Sequence, residues 1–230
     1  MKVALWGIDY PLGKKNLLDE RLERLEKIIH STKTIPIQIE LQDSSYLKTA
    51  DAFLARTDLK QDLILLDLEL IENLISKGDI KQDLAFRIKN SLEKEILLKE
   101  ASFSQEEFKF LVQFGFLSCR PHIFIDPEES NKILSCLREL YYASTRICFF
   151  TTNQKELRAW EIKKGTTAYE ASGLIHSDIQ RGFIKAEVLS YKDILESGSI
   201  LQAKAKGLMR LEDRDYLIND ADLIYFRFSV

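Results

Sequence analysis

The chain reads as an α/β protein in two parts, a reduced α/β core carrying an inserted helical hairpin and a following mixed sheet covered on one face by a helix. Three patterns predict this. The apolar runs 2–6 and 122–126 have the length and the flanking turn residues of buried strands. Between them, from Leu59 to about Ala101, leucine and isoleucine recur every three to four residues, the period of a helix. From Arg146 onward, short strand-like runs alternate with short helical stretches and are punctuated by Gly165, Gly173, Gly182 and Gly207.

Taken in order, Lys2–Trp6 is the first strand and leaves into a loop at Gly7. An amphipathic helix capped by Asp19 follows, with Leu22, Leu25 and Ile29 on one face. Residues 35–41 alternate apolar and polar side chains and predict a strand, and residues 43–58 predict irregular structure. Leu63, Leu66, Leu70 and Leu74, then Ile80, Leu84, Ile88 and Leu92, give two helices, broken by the turn residues 76–79. Such a coiled-coil-like hairpin is scaffold, with a projecting binding arm as the alternative. The capping-box spacing at 104–107 starts a third helix ending near Phe116. A helix over about 128–142 precedes strands at 147–150, 156–162, 184–189 and 223–228.

Composition excludes several classes. Apolar residues make up 45% and charged residues 30% of the 230, the balance of an ordinary globular protein with a sizeable core. No apolar run approaches the roughly 18 residues of a membrane span, and the first residues lack a signal-peptide pattern, so the cytoplasm is the expected compartment. The net charge of −3 leaves no chain-wide footprint for nucleic acid, and DNA is not an expected partner. Cys119, Cys136 and Cys148 are widely spaced in apolar contexts and read as buried thiols. His30, His122 and His176 offer no metal-ligand spacing, and His122, on an apolar strand, reads as a satisfied, half-buried side chain.

The loop from Gly7 to Lys15 is P-loop-like. A working phosphate loop spaces its glycines by four residues, ends in Lys and Ser/Thr, and wraps phosphates with backbone N–H groups. Here five residues separate Gly7 from Gly13, Pro11 removes one donor, and Lys15 stands where the magnesium-binding hydroxyl belongs. Gly7, Gly13 and Lys14 are therefore the candidate nucleotide-binding remnant. The plain alternative is a strand-to-helix turn with incidental lysines. A second candidate group, Arg158, His176, Asp178, Arg181, Lys185 and Arg210, is a possible RNA or protein contact, against which His176 and Asp178 read equally as local turn-capping groups. Residues 151–230 hold twelve Lys/Arg and twelve Asp/Glu, so any RNA contact needs a local patch.

Four strings then carry a family resemblance: Lys-Glu-Leu-Arg-Ala-Trp at 155–160, Ala-Ser-Gly-Leu-Ile-His-Ser-Asp at 171–178, Gly-Phe-Ile-Lys-Ala-Glu-Val at 182–188, and Phe-Arg-Phe-Ser-Val at 226–230. In this order they resemble the C-terminal domain of the YchF family, Obg-related P-loop NTPases of the TRAFAC class. Upstream, residues 19–25, 34–43, 62–69 and 117–125 are similar to further family strings. The resemblance implies a degenerate nucleotide-binding core over 1–58 and 117–145, a helical insertion over 59–116, and a β-grasp (ubiquitin-like) TGS domain over 146–230. It also implies departures. The switch-II glycine is replaced by Tyr46, the base-reading motif falls on 127–130 without its amide or its carboxylate, and the first switch is almost wholly deleted. Phosphoryl transfer needs these parts together.

The expected function is a non-catalytic adaptor that contacts ribosome, RNA or a protein partner through the TGS domain or the helical arm, with no catalytic residue, metal or cofactor. The alternative is a weak ATP- or GTP-binding protein or NTPase using Mg²⁺ at Gly7, Gly13 and Lys14. A third reading gives the old cleft to another small ligand.

Overall fold

The computed structural model describes residues 1–153 and 155–229. In chain order the elements are β1 (Lys2–Trp6), β2 (Gly13–Asn16), α1 (Glu20–Ile29), β3 (Lys33–Ile35), β4 (Gln38–Gln42), β5 (Ala52–Arg56), α2 (Lys60–Lys77), α3 (Gln82–Glu93), α4 (Gln105–Phe114), β6 (His122–Ile125), α5 (Ile133–Ala143), β7 (Arg146–Thr152), β8 (Glu156–Lys163), α6 (Ala168–Ile175), α7 (Ser177–Arg181), β9 (Phe183–Leu189), α8 (Tyr191–Ser197), α9 (Ile200–Ala205), β10 (Arg210–Glu212) and β11 (Leu223–Phe228). The architecture is α/β. Two compact units emerge, one of residues 1–15 with 39–144, the other of residues 16–38 with those from 145 onward.

The first unit is built on a sheet of order β2-β4-β1-β5-β6, with β1 parallel to β4 and β5, and β5 parallel to β6. Parallel strands are covered on both faces and so read as continuous apolar runs. In β5, Ala52, Phe53, Leu54 and Ala55 are all fully buried. This strand corrects the irregular structure expected over 43–58; it is five residues long and polar sequence precedes it. Leu63, Ile71 and Leu74 of α2 share one core with Ala85, Ile88 and Leu92 of α3 and with Ala4 and Phe53 of the sheet. The helices over 59–116 thus pack as part of this unit. Gly78, at φ 73°, ends α2, and Gly115, at φ 88°, ends α4, where a left-handed residue costs glycine least.

The second unit has the sheet order β10-β9-β11-β7-β8-β3. β7 runs parallel to β11 and antiparallel to β8, and β3 lies parallel to β8 at the edge. The single strand expected over 35–41 is therefore two strands in two sheets. Pro36, which has no N–H to donate, lies between them. Residues 16–38, expected in the core, belong to this unit instead. One sheet face, with Ile147, Phe149, Ile162, Ala186, Val188 and Ile224, packs against Ala168 and Ala171 of α6. Gly182 admits the end of the chain: a Cβ there would lie 1.9 Å from the Ser229 carbonyl oxygen, and the Ser229 N–H donates to the Gly182 carbonyl at 2.9 Å. Val230, last in its string, lies outside the described residues.

Candidate functional site

In an open α/β sheet, ligands bind at the carboxyl ends of the parallel strands. Here β1 ends at Gly7, whose φ is +73° and whose missing Cβ would lie 2.8 Å from Leu59 Cδ1 and 3.0 Å from Arg56 Cδ. A side chain there would have to displace Leu59 and strain the backbone, so packing and φ account for the glycine. The chain then does not enter a helix. Gly13 and Lys14 start β2, at the sheet edge beyond β4 and so two strand spacings, about 10 Å, to the side of β1. The strand-to-helix turn expected on the sequence is thus corrected to strand-to-strand. Gly13 (φ +94°) has open space around it, and Lys14 is exposed. The first helix begins only at Glu20, with its N-terminus capped by the Asp19 side chain accepting from the Arg21 N–H. A phosphate cradle needs N–H groups converging at a helix N-terminus. Gly7, Gly13 and Lys14 are not brought together in that way.

The other strand ends carry mostly carboxylates. Asp43, after β4, accepts from Ser45 Oγ and, at 2.8 Å, from the Ser45 N–H, and these bonds hold its carboxyl below the usual range. After β5, Arg56 pairs with Asp58 at 2.6 Å. After β6 come Asp126, Glu128 and Glu129, the last paired with Lys132. The Ser130 side chain of the base-reading stretch lies outside those described. Acids spread along this edge oppose a polyphosphate. The described residues do not fit a tightly held nucleotide and magnesium ion. Among the described residues no group of three or more His, Cys, Asp or Glu side chains is placed to hold a metal, and no helix is long and apolar enough to cross a membrane.

Two strings of the first unit meet at a structural clamp. Asp67 of α2, 1% exposed, accepts N–H bonds from Leu117 at 2.7 Å and Ser118 at 2.9 Å. Burial raises its pKa despite these donors. His122 is more deeply buried than expected, stacked on Phe53 with ring centroids 4.9 Å apart, and burial, with the nearby Lys99 charge, lowers its pKa to about 4. Its Nδ1 lies 2.8 Å from the Arg120 carbonyl oxygen, so that nitrogen carries the proton and Nε2 has no partner. The neutral ring is not fully satisfied. Cys119 is buried and pushed up to about 12, whereas Cys136, expected to be buried, is only half-buried on α5.

In the second candidate group, His176, Asp178 and Arg181 share one turn, while Lys185, Arg210 and Arg158 have other partners. His176 caps α7: its Nδ1 accepts from the Asp178 N–H at 3.1 Å, while Asp178 pairs with Arg181. Lys185 pairs with Asp213. Arg210 donates to Tyr216 Oη at 3.0 Å, in a network in which the buried Asp222 accepts from Tyr216 Oη at 2.7 Å and from the Asn219 N–H at 2.9 Å. Burial raises Asp222 above the usual carboxylate range. Arg158 alone of the group stacks on an indole, 4.1 Å over Trp160. A further cluster went unnoticed in the sequence. Arg21 reaches Asp19 at 2.8 Å, Asp220 at 2.6 Å and Cys148 Sγ at 3.4 Å, and the Cys148 N–H donates to Asp220 at 3.0 Å. Burial would raise Asp19, but Arg21 outweighs it and holds the carboxyl low; burial pushes the Cys148 thiol well up. Contacts spanning 199 positions leave no local signal.

Comparison with known proteins adds a second line. Residues 147–229 match the model for the YchF GTPase C-terminal domain, described as a protein of unknown function (DUF933). The Bacillus subtilis protein named ribosome-binding ATPase YchF is 25% identical over an aligned length of 330, which takes in 97% of this chain and 90% of that one. The chain is similar to YchF proteins along nearly its whole length, and residues 147–229 carry that family's C-terminal domain pattern. Within that family, the Mycoplasma genitalium ribosome-binding ATPase YchF is 49% identical over 82 residues, 36% of this chain and 22% of its own length. Human Obg-like ATPase 1 is 48% identical over 81 residues, 35% of this chain and 20% of its own. High identity to these two is thus confined to about a fifth of the relative. The Schizosaccharomyces pombe YchF GTPase structure superposes with a TM-score of 0.77 at 15% identity, over 96% of this chain and 88% of that one, and shares its fold.

Proposed function

We propose that the chain is a ribosome-associating, cytoplasmic member of the YchF family that works by contact and does not hydrolyse nucleotide. The observation that carries the loss of hydrolysis is the course of the chain after β1, into an edge strand and not a helix N-terminus. The observation behind the ribosome is the name of the relative aligned over 97% of the chain. The second unit would act as the family's TGS-type β-grasp domain, joined by residues 16–38, and the coiled-coil-like helices over 59–116 would offer a further protein contact. The account predicts that the purified chain cosediments with ribosomal particles without added nucleotide. Sedimentation no greater than that of an unrelated acidic protein would refute it.

A second reading has a specific finding in its favour. The matched relatives are named ATPases, which supports ATP or GTP binding with Mg²⁺ more directly than it supports its loss. In that reading Gly7, Gly13 and Lys14 remain a weak site in a degenerate P-loop. Saturable Mg-ATP or Mg-GTP binding abolished by Lys14→Ala is its signature.

A further inference from the structure

Several arginines of the second unit face a carboxylate: Arg21 faces Asp19, Arg146 faces Glu161, Arg181 faces Asp178, and Arg227 faces Glu187. Arg158 does not. Its guanidinium lies over the Trp160 ring, and no ion pair reaches it among the described residues. Trp160 is itself fixed, its Nε1–H donating to Thr151 Oγ1 at 2.8 Å. The strand that carries both runs out from beneath α6: Ile162 lies in the core with Ala168 and Ala171, while Trp160 and Arg158 are half-exposed. The edge strand β3 extends this flank, with Lys33 opposite Glu156 and Ile35 opposite Arg158. Beside it, Thr32, Lys33, Asn153, Lys155 and Glu156 line an open depression of about 610 Å³. Lys155 is exposed there.

We infer that this β3–β8 flank binds unpaired RNA, a base stacking on the Arg158–Trp160 pair while Lys33 and Lys155 meet the phosphates. Aromatic rings and guanidinium planes accept bases of any sequence, and cations tracking the backbone supply the rest of the affinity. Lys33 is paired with Glu156 at 3.0 Å, and Lys155 and Arg158 add two cations with no ion pair among the described residues, so the flank is net positive. A protein partner would call for a broader apolar core than one indole and Ile35. The inference rests on the ribosome reading only for the source of the RNA.

The test uses the full chain in a Trp6→Phe background, which leaves Trp160 as the one indole of the two in the sequence. Titration with an oligouridylate is expected to quench Trp160 fluorescence saturably, with log affinity falling against log salt at a slope of about −1.5 to −2 for two to three neutralised phosphates. Arg158→Glu and Lys155→Glu, both on the surface, are each expected to weaken binding about tenfold or more with the thermal midpoint unchanged. Absence of saturable quenching, or quenching unaltered in both variants, overturns the inference. Ribosome cosedimentation separates the two readings. Pelleting that persists in both variants without oligouridylate binding leaves ribosome association standing through a protein or another surface and removes this site. Oligouridylate binding without pelleting does the reverse.

Discussion

The second unit and the first carry their family strings on side chains of different kinds. In the second, Gly182 makes room for Ser229, Trp160 bonds Thr151, and Ala171 packs in the core between helix and sheet. Each is needed for folding itself. In the first, Gly13 stands in open space and Lys14 is exposed on an edge strand. No neighbour lies where a Gly13 Cβ would stand, and only the backbone angle of Gly13, at φ +94°, answers to the fold. Gly7 and Asp67 belong to the same unit, yet each is held by packing or by buried hydrogen bonds. What separates the two regions is whether a residue answers to the interior.

Removing the interior clamp of the first unit breaks the comparison most severely. Asp67→Ala leaves the Leu117 and Ser118 N–H groups buried without partners, a loss of about 4 kcal/mol at roughly 2 per group. Urea unfolding measures it, and a loss under about 1 kcal/mol would show that the clamp does not hold the unit. His122 gives a pH signature of about 3 kcal/mol from a pKa lowered from 6.5 to about 4. Because the folded value is the lower one, the unfolded chain takes up the proton first as pH falls. The stability is whole above pH 6.5 and is lost down to about pH 4. Asp67, shifted upward, acts in the opposite sense, so the readout is the difference between the native chain and His122→Phe, which should lack this fall.

In the second unit, Arg21→Ala strips the ion pairs to Asp19 and Asp220 and is expected to cost about 2 kcal/mol. It should also release Asp19 toward an ordinary carboxyl pKa, visible by NMR titration. The smallest effect sharpens the contrast within the loop. Gly7→Ala meets Leu59 and a strained φ and should cost about 2 kcal/mol, whereas Gly13→Ala meets only the strained φ and should cost about 1. Equal losses would mean that the two glycines do the same work.

Much of this was legible in the residues. Long periodic segments such as α2 and α3, capped by Gly78, show the period of their burial directly, and Ser104 and Glu107 form the capping box their spacing predicts. Pro11 and the five-residue glycine spacing were legible as departures from a phosphate loop, and the chain after Gly13 continues as a strand. Three things were not. β5 is short and alanine-rich, so its burial comes wholly from its neighbours. The partition of residues 33–42 between two sheets turns on Pro36, inside what looks like one alternating run. The Arg21, Cys148 and Asp220 cluster joins residues more than a hundred positions apart, which periodicity does not register. At the candidate sites, chemistry picked the residue types, but only the sheet order separates Gly7 from Gly13 and sets Arg158 on Trp160.

Calorimetric titration of the purified chain with Mg-ATP and with Mg-GTP tests the proposed loss of nucleotide binding most directly. At millimolar nucleotide the account predicts no saturable heat, and the same flat trace for Lys14→Ala. A saturable isotherm in the native chain that Lys14→Ala abolishes would contradict it and return Gly7, Gly13 and Lys14 to a working nucleotide site.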